Sequence, residues 1–381
     1  MIVLKNVRAY LPNLGIVRTD IRFENGRITS IGEGIADGGL TIPEDAIVLP
    51  GFIDEHIHGA GGADAMDAKP EALDRMSATL AKEGTTAFLA TTMTQSKETI
   101  GHALGAVKSY MQAGKYTGAE LIGIHLEGPF ISSGFIGAQP PEYIQSPTVD
   151  RFEEYQTAAD GQIKMVSLAP EVEGAYELIS YLKKHGVAAS AGHSGAGHDE
   201  MMHAVECGLS SVTHTYNAQS GIHHREIGVV GTAMMCDELY TELICDTIHV
   251  SAPAIRLMLK NKPKDKVILI TDSMRAKGLA DGVSELGGQT VYVKNGEARL
   301  ENGALAGSVL RMNDAIRNLV TKIGVPLETA VDFATINPAK HLGIDHERGS
   351  IAVGKRADFT VLDQDFNVLL TIVDGEIVYQ K

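Results

Sequence analysis

The stretch Pro50-Gly51-Phe52-Ile53-Asp54-Glu55-His56-Ile57-His58-Gly59 decides the fold of this chain of 381 residues. It is a short apolar run that ends in a His-x-His pair. In a strand, residues i and i+2 point to the same face, so the two imidazoles would project together, about 7 Å apart. Two neutral imidazoles on one face are the beginning of a site for a first-row metal ion. The pair therefore predicts further ligands elsewhere in the chain.

The chain from Gly51 to about residue 345 alternates between strand-like and helix-like runs. Seven further strands are expected at 85–93, 120–126, 164–169, 187–191, 211–215, 239–246 and 266–271. Strands that alternate with helices pair in parallel, and eight of them predict an α/β fold with a closed (β/α)8 barrel. An open doubly wound sheet is the alternative, but no glycine-rich phosphate fingerprint follows the first strand. A β insertion is expected at 281–309, and closing helices at 310–323 and 327–342.

The two ends of the chain share a β pattern. Asn25-Gly26 and Asp374-Gly375 each separate two strand-like runs, which is a strong hairpin signal. Neither end is large enough to enclose a core alone. We therefore predict that residues 1–50 and 346–381 form one small β-sandwich domain, and that residues 51–345 form the barrel.

Charge and cysteine content narrow the class of partner. A net charge of −15 disfavours nucleic acid and anionic membranes as partners. The three cysteines have no C-x-x-C spacing, which argues against a disulfide framework or a zinc ribbon. No leader sequence and no apolar run of about 20 residues is evident. These features predict a cytoplasmic protein that acts on small molecules.

Residues of the kind that bind metals recur where the predicted strands end. Glu127 ends strand three, His193 strand five, His214 strand six and Asp272 strand eight. Each has an ordinary explanation alone, such as a helix cap, an ion pair or a buried core histidine. Barrel enzymes place their chemistry at this end of the strands, so the coincidence favours a metal site. The predicted ligands are His56, His58, Glu127, His193, His214 and Asp272.

The predicted ligand set exceeds what one catalytic zinc ion needs. Four histidines and two carboxylates suit two divalent ions that share Glu127. Such a centre activates water and polarises a carbonyl group, with Asp272 as the proton shuttle. The expected reaction is hydrolysis of an amide or an ester. Histidine and carboxylate ligands accept zinc, iron, manganese or cobalt, so the residues do not select the metal.

Motifs along the whole chain resemble the amidohydrolase superfamily and, within it, the N-acetylglucosamine-6-phosphate deacetylase family. The motifs are His125-Leu126-Glu127-Gly128-Pro129-Phe130, Ala191-Gly192-His193-Ser194, Thr213-His214-Thr215-Tyr216-Asn217-Ala218, His223-His224-Arg225-Glu226, Asp246-Thr247-Ile248-His249-Val250, Thr271-Asp272 and Leu305-Ala306-Gly307-Ser308. Glu127, where many superfamily members carry a carboxylated lysine, is one of the more specific marks.

The resemblance implies removal of acetate from N-acetylglucosamine 6-phosphate, in amino-sugar catabolism and cell-wall recycling. It implies that Glu127, His193 and His214 hold the ion common to all members, and that His56 and His58 build a second site. It also implies a homodimer. The substrate-binding residues that it implies are Ala138, Gln139, Asn217, Ala218, Arg225, Asp246, His249, Leu305, Ala306 and Gly307.

Two of these residues carry particular weight. Arg225, beside two histidines, is the local basic patch that an anionic substrate needs in an acidic protein. Gln139 stands where many family members have a histidine thought to polarise the acetyl carbonyl. Its amide can donate a hydrogen bond but carries no positive charge.

Other functions compete with this interpretation. A dihydroorotase-like or isoaspartyl dipeptidase-like hydrolase is disfavoured by Glu127 and by the basic cluster at Arg225. Nothing in the sequence excludes a deacetylase that prefers N-acetylgalactosamine 6-phosphate. A barrel that has lost catalysis and serves as a scaffold would be expected to have lost ligands, and here the set is complete.

Overall fold

The computed structural model describes residues 1–35 and 39–381. Its centre is a sheet of eight parallel strands that follow one another in chain order. Numbered one to eight, the barrel strands are Phe52–Ile57, Thr85–Thr91, Glu120–Glu127, Ile163–Leu168, Ala188–Ala191, Ser211–Val212, Tyr240–Ile244 and Val267–Ile270. After strand eight, the Asp272 amide donates to the carbonyl of His56 at 2.9 Å, which ties the last strand to the first.

Helices connect the strands and cover the outside of the barrel. They are Pro70–Ala81, Lys97–Ala113, Val149–Ala158, Ala175–Lys184, His198–Cys207, Gly228–Met235, Ala252–Asn261, Met312–Asn318, Leu327–Ala334 and Ile336–His341. Single helical turns lie at Ala65–Asp67, Pro141–Tyr143 and Lys264–Lys266, and a π-turn at Leu319–Ile323. Every residue of Thr85–Thr91 is buried, as expected of a parallel strand covered on both faces. No helix within the described ranges is long and apolar enough to cross a membrane.

The helices depart from the expected ones in three places. The expected helix at 327–342 is two helices, separated at Thr335, whose backbone has φ −134° and ψ −83°. The physical reason is Pro338, because its ring collides with the carbonyl four residues earlier, at Ala334, where the first helix ends. Two further helices, Val149–Ala158 and Gly228–Met235, lie in segments where the sequence pattern predicts none.

A second sheet joins the two ends of the chain. Its seven strands, in spatial order, are Glu376–Gln380, Val368–Val373, Phe359–Leu362, Ile47–Pro50, Ile2–Leu11, Gly15–Glu24 and Arg27–Gly32. Asn25 and Gly26 have φ of 51° and 73°, the conformation of the predicted two-residue hairpin. The barrel and a β unit built from both ends confirm the predicted fold class. The domain boundaries at residues 51 and 345 stay a prediction.

The segment after barrel strand eight carries the expected β insertion. Gly282–Leu286, Gln289–Lys294 and Glu297–Leu300 form an antiparallel sheet of three strands. Buried apolar side chains from this sheet pack against Met93 and Met274, near the ends of barrel strands two and eight. The insertion therefore forms one wall above the end of the barrel where the predicted ligands lie.

Candidate metal centre and active site

The six predicted ligands meet at the carboxyl end of the barrel. They belong to, or closely follow, barrel strands one, three, five, six and eight. Their exposed fractions are 0 % for His56, 3 % for His58, 1 % for Glu127, 5 % for His193, 4 % for His214 and 8 % for Asp272. So many titratable groups buried together must be held by one another or by a bound cation.

Glu127 lies at the centre of this cluster. Its Oε1 atom is 3.1 Å from Nε2 of both His193 and His214, and those two nitrogens are 3.2 Å apart. Its Oε2 atom is 3.1 Å from Nε2 of His58. On the other side of the cluster, Oδ1 of Asp272 is 3.3 Å from Nε2 of His58 and 3.4 Å from Nε2 of His56. One carboxylate thus contacts two neighbouring groups of three possible metal ligands, Glu127–His193–His214 and His56–His58–Asp272.

The imidazole hydrogen bonds show that the cluster fits a cation. Nδ1 of His193 donates to the Phe135 carbonyl at 2.9 Å, so the Nε2 lone pair of the neutral ring faces the Glu127 carboxylate. Nδ1 of His56 faces Oε2 of Glu242 at 2.9 Å, and its buried Nε2 has no hydrogen-bond partner among the described residues. Lone pairs that face a carboxylate require a positive charge between them. A backbone carbonyl or a carboxylate on the far nitrogen is the usual arrangement of a metal-binding histidine.

The electrostatics lead to the same conclusion. Burial disfavours a charged imidazole, but Glu242 and Glu127 outweigh it and raise the pKa of His56 well above its usual range. The pKa of His58 is raised to about 10 against the same burial, by hydrogen bonds to Asp272 and Glu127. Burial would raise the pKa of Glu127, yet the imidazoles hold it well below its usual range. The cluster therefore attracts positive charge, which divalent ions could supply in place of protons.

The backbone at three ligands has an unusual conformation. His193, His214 and Asp272 have φ of 52°, 30° and 46°, in the left-handed region that residues other than glycine seldom adopt. Each lies two residues beyond the end of its strand. The Ser308 amide donates to the Asp272 carbonyl at 2.8 Å, which helps to hold that residue in place. Such conformations persist only where the surroundings enforce them, and they concentrate at functional sites.

Two buried residues that support the cluster are not among the predicted site residues. Oε2 of Glu242 accepts hydrogen bonds from Nδ1 of His56 at 2.9 Å and from the backbone amide of His214 at 2.8 Å. The ring of His125 lies edge-on to His56 with 4.5 Å between centroids. Burial lowers the pKa of His125 well below its usual range, so this ring is neutral. The sequence feature that could have identified Glu242 is its charge, because the other four residues of the strand Tyr240–Ile244 are uncharged.

A cavity of about 310 Å³ opens above the cluster. The predicted substrate residues that line it are Ala138, Gln139, Asn217, Ala218, His249, Leu305 and Gly307. Met93, Leu286 and Ala304 also line it, without having been predicted. Gln139 is held in place because its Oε1 accepts from the Thr94 amide at 2.7 Å and its Nε2 donates to Oε2 of Glu127 at 3.1 Å.

Three predicted substrate residues do not line this cavity. Asp246 lies behind it, where its Oδ2 is 2.6 Å from Nδ1 of His249, so it orients that ring. Ala306 is fully buried, and its amide donates to the Ala298 carbonyl at 3.0 Å. Arg225 is exposed, and its guanidinium is 2.7 Å from Nε2 of His224. Within a single chain, Arg225 is therefore separate from the metal cluster.

This chain is similar to known proteins over most of its length. The family model described as "Amidohydrolase family" matches residues 47–378. An N-acetylglucosamine-6-phosphate deacetylase of Bacillus subtilis is 47% identical over 89% of this chain and 86% of its own length. An N-acetylgalactosamine-6-phosphate deacetylase of Escherichia coli O157:H7 is 36% identical over 89% of both chains.

Solved structures extend the match to the whole fold. The crystal structure of N-acetylglucosamine-6-phosphate deacetylase from Pasteurella multocida superposes with a TM-score of 0.93 at 32% identity, over 99% of both chains. The family match covers most of the chain, and the relatives exceed 30% identity over nearly all of it. The predicted resemblance is confirmed, and this chain is a hydrolase that belongs to the amidohydrolase family.

Proposed function

We propose that this enzyme hydrolyses the acetamide bond of N-acetylglucosamine 6-phosphate to acetate and glucosamine 6-phosphate. The observation that carries the proposal is Glu127, held between four imidazoles and beside Asp272 at the base of a cavity. Relatives at up to 47% identity bear the name of this activity. The neighbouring substrate, N-acetylgalactosamine 6-phosphate, is the second candidate because one relative at 36% identity is named for it.

The centre would hold two divalent ions, of zinc, iron, manganese or cobalt. Glu127, His193 and His214 would hold one ion, and His56, His58 and Asp272 the other, with a Glu127 oxygen near each group. Bound divalent ions lower the pKa of water toward neutrality and polarise a carbonyl oxygen. The ring nitrogens that face away from the ions would keep their protons for Phe135 and Glu242.

Changing His56 and His58 together to asparagine is expected to lower the metal content from two ions to one per chain. The Glu127–His193–His214 group would remain intact and keep its ion. Elemental analysis of protein purified in one defined metal measures the ratio. The matched control changes two exposed histidines, His102 and His346, and should retain both ions. An unchanged metal content in the first variant would contradict the assignment of the pair as ligands.

Asp272 would move the proton during hydrolysis. Its carboxylate lines the cavity, and its Oδ1 contacts His56 and His58, which fix its orientation. As the water oxygen bonds to the acetyl carbon, one water proton passes to this carboxylate. The carbon–nitrogen bond then breaks with its electron pair on nitrogen, Asp272 returns the proton to that nitrogen, and acetate leaves. Gln139, held against Glu127, would lie along the acetamide side.

Recognition of the sugar phosphate would involve two parts of the protein. His249, oriented by Asp246, lines the cavity together with the Leu305–Gly307 turn. Arg225 would complete the site from a second copy of the chain, because it is exposed and does not line the cavity of its own chain. Beside it, Ile222 exposes 52 % of its surface, which suits a contact between subunits. We therefore propose that the enzyme is a homodimer.

Replacing Arg225 by alanine is expected to raise KM for the phosphorylated sugar by about 10–100-fold, since a hydrogen bond to a charged group contributes about 1.5–3 kcal/mol. KM for free N-acetylglucosamine should stay nearly constant, because that substrate lacks the phosphate. Steady-state kinetics with both sugars measure the difference. Arg317→Ala, at an exposed arginine of helix Met312–Asn318, is the control. Equal effects on both sugars would contradict a phosphate-binding role.

The proposed reaction itself is tested by acetate release from the metal-loaded enzyme. We expect kcat/KM to be higher for N-acetylglucosamine 6-phosphate than for N-acetylgalactosamine 6-phosphate or for unphosphorylated N-acetylglucosamine. A higher kcat/KM for N-acetylgalactosamine 6-phosphate would make that sugar the proposed substrate and would not change the proposed site residues. No release from either sugar phosphate would overturn the proposal.

The cellular setting follows from the same proposal. Glucosamine 6-phosphate production would serve amino-sugar catabolism and the recycling of cell-wall sugars. The three cysteines are all unpaired, which suits the reducing cytoplasm that we propose as the compartment. Fractionation of the native host, followed by detection of the chain, tests that location.

A further inference from the structure

A second cavity, of about 460 Å³, lies apart from the metal centre. It is enclosed by helix Pro70–Ala81 and the residues after it, by the loop that follows barrel strand eight, and by Tyr379 of the C-terminal strand Glu376–Gln380. None of its lining residues also lines the cavity above the metal cluster. The two cavities are therefore separate sites.

The lining of this second cavity carries an excess of positive charge. Its cationic residues are Arg75, Lys82, Lys277 and Arg311, and its one carboxylate is Glu83. Nζ of Lys277 lies 2.7 Å from Oε1 of Glu83, and both side chains are buried. Four positive groups against one negative group leave an excess of about three charges, in a chain whose net charge is −15.

Three of the four cations have no carboxylate partner. Within residues 1–35 and 39–381, the side chains of Arg75, Lys82 and Arg311 form no ion pair, and all three residues are exposed. Glu83 is already engaged by Lys277. Burial raises the pKa of Glu83 to about 7, and Lys277 and Arg311 act in the opposite direction. The positive charges of Arg75, Lys82 and Arg311 thus have no carboxylate partner in the part of the chain that the structure describes, whereas that of Lys277 is paired.

Two glycines, Gly61 and Gly278, form part of the cavity lining. A Cβ atom added at Gly61 would collide with Oγ1 of Thr79. Gly61 and Gly278 have φ of 62° and 83°, which other residues adopt only with strain. Thr79 and Tyr379 add hydroxyl groups to the lining. The Thr79 hydroxyl donates to the Arg75 carbonyl at 2.8 Å, so the donors left for a ligand are the guanidinium and ammonium groups and the Tyr379 hydroxyl.

We propose that this cavity binds a small anion through a phosphate group. Guanidinium groups match phosphate oxygens in paired hydrogen bonds, and ammonium groups add point charges. An excess of about three positive charges suits a dianion such as a phosphate monoester better than a single carboxylate. The proposal stands whether or not the sugar substrate is the one assigned above, because it uses different residues.

The test is calorimetric titration of the full-length, metal-loaded enzyme with inorganic phosphate. Arg75→Gln combined with Arg311→Gln removes two unpaired charges and should abolish one binding component or weaken it by about tenfold or more. The control, Lys5→Gln with Lys115→Gln, removes two exposed charges elsewhere and should bind phosphate as the natural chain does. Deacetylation without added phosphate should be unchanged in both.

The outcomes separate clearly. A binding component that the first variant lacks and the control keeps supports the site. Identical titrations for all three proteins, including no binding in any, overturn it. If the double variant fails to fold, Lys82→Gln alone carries the same test, since this exposed residue makes no ion pair in the described ranges.

Discussion

Replacing Asp272 by asparagine is expected to lower kcat by about 10²–10⁴-fold, the usual contribution of a positioned acid–base group. Asparagine has nearly the same shape and can still contact His56 and His58 through its carbonyl oxygen. It cannot take a proton from water or return one to the leaving nitrogen. The variant should therefore bind both metal ions and the substrate but turn over very slowly.

Steady-state kinetics, elemental analysis and calorimetric binding of the substrate measure these three properties in one preparation. Asp265→Asn, at an exposed aspartate before strand eight, is the matched control and should keep full activity. A kcat close to that of the natural enzyme would remove Asp272 from the path of the proton. Lost metal with lost activity would instead assign Asp272 chiefly to metal binding.

Changing Glu127 to glutamine should have the largest effect of all single substitutions, with both ions lost and activity reduced by about 10⁴-fold or more. Glu127 is the carboxylate that contacts His58, His193 and His214 together. A neutral amide in its place lowers the attraction for two divalent cations, and its NH₂ group lies against ring nitrogens that must remain free to bind metal.

Glu242→Gln provides the comparison for Glu127. Glu242 contacts the outer nitrogen of His56 and the amide of His214, and its loss should reduce metal affinity by only about 10–100-fold. Metal titration of the apoenzyme for both variants tests the difference. Retention of two ions by the Glu127 variant would show that the two ions do not share this carboxylate.

The periodic pattern of the barrel made much of this site predictable. Ligands at the ends of separate strands must converge once the strands pair in parallel, so the positions of Glu127, His193 and His214 follow from the fold. The site of Asp272 follows in the same way. Because the predicted ligands lie at the carboxyl ends of the strands, even the short strand Ser211–Val212 brings one of them, His214, to the cluster.

The remaining features depend on tertiary contacts that no local pattern reveals. Helix Gly228–Met235 contains two glycines and several β-branched residues, which disfavour a helix, but burial of Val229 and Val230 outweighs this preference. Glu242 looks like an isolated charge in a strand until His56 and His214 are placed beside it. The distance of Arg225 from the cavity of its own chain likewise emerges only from the folded structure.

The strand order of the chain-end sheet matters while the protein is being synthesised. Ile47–Pro50 pairs with Ile2–Leu11 on one side and with Phe359–Leu362 on the other. The second partner leaves the ribosome roughly 300 residues later, a delay of about 15–60 s at ordinary translation rates. Until then the backbone donors and acceptors of Ile47–Pro50 form an open edge to which another chain can bind. The nascent chain therefore needs protection from aggregation until its last strands have emerged.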